Sequence, residues 1–215
     1  MALTRVNGQK YDQGQYFQEG VCFRLSFKWA AVSMFGGDFN YAMDKGGLSI
    51  ASTKKKFGEY IDFSEKHLAD ATKNWSDSKV FGDWVAGDVL QAMAYINKWG
   101  VKVTDSTHAY GGVTLDKIVD GTASDYMKAA NAAGITVVYG YYGYDKGVPA
   151  GHATAYSNGR YFDPNYGTYT SSETTAAGIG RDIDAFIADK ERTWTQKRFI
   201  IYLLGAANPT VKKRA

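Results

Sequence analysis

The sequence predicts an α+β fold in which N-terminal helices pack on a C-terminal antiparallel β-sheet. Three observations lead there. Apolar residues recur at helical spacing through most of the chain up to Gly134. Beyond it, β-branched and aromatic runs of strand length take over. The second half also carries Asn158-Gly159, the strongest two-residue hairpin signal. Helices and strands segregated along a chain argue against alternating βαβ units.

The elements follow in order. Residues 1 to 19 are polar, Gln-rich and without period, and read as an arm leading into the domain. From Val21 the pattern is helical: Leu25 and Trp29 lie one turn apart, Ala30 and Val32 stand beside them, and Gly36-Gly37 stops the run. Cys22 falls in its first turn. Helices are also expected over 53–74, 83–99 (opened by Asp83, closed by Gly100) and 123–133. A short strand is expected at Val101–Thr104 and a loop over 105–121. Strands are then expected at Ile135–Tyr142, Gly151–Ser157 and Arg160–Asp163, broken by Asp163-Pro164-Asn165. A helix over 181–193 and a strand at Arg198–Leu204 complete the pattern. With 215 residues and no repeat or linker, one domain over 20–205 is the simplest division, with a loose tail over 206–215.

Composition narrows the function. Net charge is +3, from 25 basic and 22 acidic side chains, too little to argue for a nucleic-acid partner. Lys54-Lys55-Lys56 and Lys212-Lys213-Arg214 read as solvated clusters. No apolar run reaches the roughly 18 residues of a membrane span, and residues 1–11 lack the apolar stretch of a Sec-type signal peptide. Aromatic residues reach 15%, with 16 tyrosines, so some are available for a cleft lining, with Trp84 and Tyr141 as candidates.

The single cysteine rules out an internal disulfide and disfavours a cysteine-based zinc site, and no cofactor or metal is expected. Cys22 is therefore either a small buried hydrophobe beside Val21 and Leu25 or a reactive thiol. A helix N-terminus and a nearby imidazolium both favour the thiolate, and Cys22 opens a helix behind Gly20. Of the three histidines, His67 lies in a charged helical stretch and His108 in a polar loop. His152 opens an apolar strand. With Asn158-Gly159 as a two-residue turn, Ser157 faces Arg160, Tyr156 faces Tyr161, Ala155 faces Phe162 and Thr154 faces Asp163. Side chains alternate, so His152, Thr154 and Asp163 share one face. Asp163 can then accept from the imidazole N–H and fix its tautomer, or the two can form a merely structural contact.

Three segments, Gly20-Val21-Cys22-Phe23-Arg24-Leu25-Ser26, Gly151-His152-Ala153-Thr154-Ala155 and Tyr161-Phe162-Asp163-Pro164-Asn165-Tyr166-Gly167, resemble the motifs of YopT-like bacterial effector cysteine proteases. Their order, with the cysteine and histidine 130 residues apart, is also that of papain-like enzymes. The resemblance implies a papain-like fold and a cysteine endopeptidase (a thiol protease) with Cys22 as nucleophile, His152 as general base and Asp163 orienting it. It implies an oxyanion hole completed by Gln18 (or Gln15) and the Cys22 backbone N–H. It further implies secretion without a signal peptide into a host or target cell as a virulence effector or toxin. Its partners would be a protein substrate there and a secretion chaperone. A transglutaminase-like or deamidating enzyme uses the same three residue types, and a Tyr-rich binding module would need none of them.

Overall fold

A computed structural model describes residues 3–6, 22–37, 100–106 and 136–206 of the chain. Within them lie β1 (Thr4–Arg5), α1 (Cys22–Met34), β2 (Val101–Ser106), β3 (Thr136–Asp145), β4 (Val148–Ser157), β5 (Arg160–Asp163), β6 (Gly167–Thr170), α2 (Ala176–Lys190) and β7 (Trp194–Ala206). The helices expected over 53–74, 83–99 and 123–133 lie outside the described residues. So do the loop expected over 105–121 (beyond Ser106) and the tail beyond Ala206.

The strands form one sheet, ordered β1-β6-β5-β4-β3-β7-β2, with every pair antiparallel. Its centre is built from two tight hairpins. Asn158 and Gly159 both have positive φ, 50° and 77°, and join β4 to β5 with Ser157 opposite Arg160. Lys146 and Gly147, at 50° and 83°, join β3 to β4 with Asp145 opposite Val148. Positive φ at both central residues gives a turn whose twist matches that of the strands. The first hairpin has the register expected from Asn158-Gly159, although the registered pairs stop at Ala155↔Phe162, short of Thr154 and Asp163. The second extends β4 back to Val148, three residues before the expected start, and β3 on to Asp145.

Two helices cover opposite faces of this sheet. Alternation puts Val138, Ala155, Phe162 and Tyr202 on one face, and α1 lies there. Trp29 stacks on Phe162 at 5.3 Å and 6°, while Phe23 and Phe27 pack on Tyr202 at 5.7 and 5.4 Å. The Ser26 hydroxyl donates to the Ala153 carbonyl at 2.8 Å, pinning α1 to β4. The other face carries Val137, Tyr139, Tyr141, Tyr156, Tyr161 and Tyr169, and Ile179, Ile183 and Ile187 of α2 pack into it. The isoleucines recur at i, i+4 and i+8, one stripe of a helix. Tyrosine is thus a core residue on this face.

The expectation of N-terminal helices on a C-terminal antiparallel sheet holds in part. The helix-on-sheet contact is present through α1, but β1 and β2 come from the first half of the chain and join the same sheet. The late helix α2 covers the opposite face. It also starts five residues earlier than expected. Thr175 caps it, its hydroxyl accepting from the Gly178 N–H at 3.1 Å. Gly178 and Gly180 dilute the helical signal there, so the sequence pattern sets the start too late. No helix among the described residues is long and apolar enough to cross a membrane.

Because Gly159 sits at φ +77° with open space where a Cβ would go, Gly159→Ala meets strain in the backbone alone. The expected loss in a denaturant titration is about 1–2 kcal/mol, with the unfolding slope unchanged.

Candidate active site

The hairpin determines where the polar side chains meet. His152 lies on β4 and Asp163 ends β5, and the ring Nε2 and the carboxylate Oδ1 are 3.0 Å apart. Both residues are buried, His152 at 5% exposure and Asp163 at 0%, so the contact is shielded from water and salt. The same Oδ1 accepts the backbone N–H of Asn165 at 2.8 Å, and the Tyr166 N–H donates to the Asp163 carbonyl at 3.1 Å. The turn after β5 therefore holds the carboxylate in place. Pro164 fixes one φ of that turn.

Cys22 is the first residue of α1 and is 9% exposed. It stands near enough to His152 to raise the ring's affinity for its proton. Since Nε2 is engaged by Asp163, Nδ1 is the nitrogen left for the sulfur. Imidazole and carboxylate are thus joined directly, with Cys22 near enough to act on the ring's charge. Burial opposes a charged imidazole and is the largest single influence on His152. Asp163 first, and Cys22 after it, outweigh that burial, so the ring holds its proton well above the ordinary value of 6.5.

A sulfur beside a protonated imidazole that a carboxylate orients can act as a nucleophile toward an acyl carbon. Among the described residues, no group of three or more His, Cys, Asp or Glu side chains could hold a metal ion. Gln18 and Gln15, expected as oxyanion donors, lie outside the described residues, as do His67, His108 and Trp84.

Sequence reasoning left the part played by two further residues unread. Tyr141 stands directly opposite His152 across β3 and β4. Its ring meets the imidazole edge-on, 5.4 Å between centroids at 81°. Its hydroxyl donates to Glu191 Oε1 at 3.4 Å. Reading Lys146-Gly147 as a two-residue turn would have placed Tyr141 there, because that turn alone fixes the pairing of β3 with β4. Glu191 had no such signal.

Among solved structures, the chain is similar to the avirulence protein AvrPphB of Pseudomonas, at 18% identity and a TM-score of 0.49 over 96% of this chain and 97% of that one. At that level of similarity, chemistry has to be read from this chain's own side chains. No protein-family model and no curated sequence matches.

The raised His152 value has a consequence for stability. A group that binds its proton more tightly when folded stabilises the fold fully below its unfolded value of about 6.5, and that contribution fades as pH rises through the folded value. Asp163→Asn keeps the shape and the Asn165 contact but removes the charge. Its stability deficit relative to the parent is expected to be largest just below pH 6.5 and to shrink as pH rises, measured by urea unfolding across pH.

Proposed function

We propose that this chain is a cysteine endopeptidase of papain-like fold, acting through Cys22, His152 and Asp163. The observation that supports the reading is the buried His152–Asp163 contact between β4 and the end of β5, with Cys22 at the start of α1 near enough to raise the ring's affinity for its proton. The resemblance of the three motif segments to YopT-like proteases supports the same roles.

The chemistry follows from the arrangement. The Cys22 sulfur, paired with the His152 imidazolium, attacks a peptide carbonyl carbon, and a C–S bond forms as the carbonyl π pair moves to oxygen. The oxyanion accepts from the Cys22 backbone N–H, which at the first residue of a helix has no intrahelical partner, and from Gln18. The imidazolium gives its proton to the departing amine as the C–N bond breaks. The neutral ring then takes a proton from water, whose oxygen attacks the thioester, and the peptide acid and thiolate are released. Asp163 keeps the ring turned toward the sulfur throughout and stabilises its charge.

Residues 20–205 carry the catalytic domain, with Thr4–Arg5 of the lead-in added at its sheet edge and the tail following β7 at Ala206. The substrate is a protein of a host or target cell. The enzyme reaches it as a secreted effector or toxin, by a route that needs no signal peptide and with a chaperone before export.

Comparing newly formed protein N-termini in a target-cell lysate treated with the parent protein or with Cys22→Ala tests this reading. Termini that appear with the parent alone are expected. Asp163→Asn should slow their formation by roughly 10²- to 10⁴-fold, the usual worth of a positioned acid–base group. If casein with a labelled amine yields labelled or deamidated product and no cleavage, the chain is an acyl-transfer enzyme of another kind. If Cys22 alkylates like a free thiol and no new termini appear, it is a binding module.

A further inference from the structure

Beyond the three residues of that chemistry lies a second layer, and it begins at the end of α2. Glu191 follows the last helical residue. Its backbone N–H donates to the Ile187 carbonyl at 2.9 Å, and its own carbonyl accepts from Trp194 at 3.0 Å. Main-chain bonds on both sides thus fix the point from which its carboxylate projects. That side chain is buried at 8% exposure, and it accepts from the Tyr141 hydroxyl. Tyr141 is fully buried. Trp194 packs on its ring at 5.7 Å, and the ring edge meets His152. Phenylalanine would fill the same space. A phenol buried here is costly unless bonded, as is a buried carboxylate, so the polar pair is more than packing requires.

We propose that Tyr141 and Glu191 form a positioning tether that holds the His152 ring in line between Cys22 and Asp163. The inference rests on the protease reading above. Among the described residues, the groups acting on His152 are Cys22 from α1, Tyr141 from β3 and Asp163 from β5, with Glu191 one residue further out. Asp163 restrains the ring at Nε2 only, and one hydrogen bond lets an imidazole swing about it. An aromatic edge on the flank, anchored through its hydroxyl to the end of a helix, removes that freedom. Burial above all, with Asp163 adding to it, raises the Tyr141 phenol well above 10.0, so its proton stays available to Glu191.

The test reads the sulfur directly, because the chain has one cysteine. The rate of alkylation by iodoacetamide is measured against pH for the parent, His152→Ala, Tyr141→Phe, Tyr141→Leu, Glu191→Ala and the Tyr141→Phe/Glu191→Ala pair, with thermal unfolding alongside. Tyr141→Phe should slow alkylation at neutral pH about tenfold, and Tyr141→Leu up to about a hundredfold, as for small misplacements of a catalytic group. Both should move the limb that reports His152 toward pH 6.5. Glu191→Ala should match Tyr141→Phe, and the double variant should lose no more than either, as for one shared interaction. If His152→Ala slows alkylation while Tyr141→Phe and Glu191→Ala leave rate and pH profile as in the parent, the tether is refuted and the protease reading stands. If His152→Ala has no effect, the protease reading fails and the tether fails with it.

Discussion

A carboxylate and an imidazole meet at 3.0 Å where water does not reach them, and the site depends on that contact. Each group is costly to bury alone. Removing one partner from such a pair typically costs about 3–5 kcal/mol, because the other is left charged and unpaired. Together they define where the ring sits, which nitrogen is engaged and which is free. Cys22 also acts on the ring's charge, so a structural pairing gains a third partner.

The fold supplies this contact through register. A two-residue turn at Asn158-Gly159 commits β4 and β5 to one alignment, and a slip of one residue would turn His152 to the other face. The Asn158 side chain donates to the Ser33 carbonyl at 2.6 Å, tying that turn to the far end of the helix that Cys22 opens. Ser26 ties the helix middle to β4. Cys22 and His152 are therefore held by one braced unit. Residues of α1 itself are buried beyond its apolar stripe, Ser26, Lys28 and Ser33 included. Most of the helix is therefore part of the core.

Much of this was legible in the sequence, for physical reasons that differ by element. Asn158-Gly159 was legible because few residues accept positive φ, so a residue pair can specify a turn outright. The alignment of His152 with Asp163 followed from that turn and the period of a strand. The helix opened by Cys22 was legible from Leu25, Trp29 and the Gly36-Gly37 stop. The Lys146-Gly147 turn was not, since lysine gives no hint of a positive φ. Strand β6 escaped notice because Gly167–Thr170 is four residues long and sits among turn formers. Glu191 could not be read at all: an acidic residue after a helix looks solvated, and only the fold turns it inward against Tyr141. Contacts set by turn chemistry are local and readable. Those set by where a helix ends against a sheet are not.

The central claim is that the Cys22 sulfur and the His152 ring act on each other across a gap of 130 residues in sequence. The most direct measurement is the nuclear magnetic resonance titration of the His152 ring in the parent protein and in Cys22→Ala. A midpoint well above 6.5 in the parent, displaced downward when the sulfur is removed, is the expected result. An identical midpoint in both proteins would mean that the sulfur does not reach the ring, and would contradict the account.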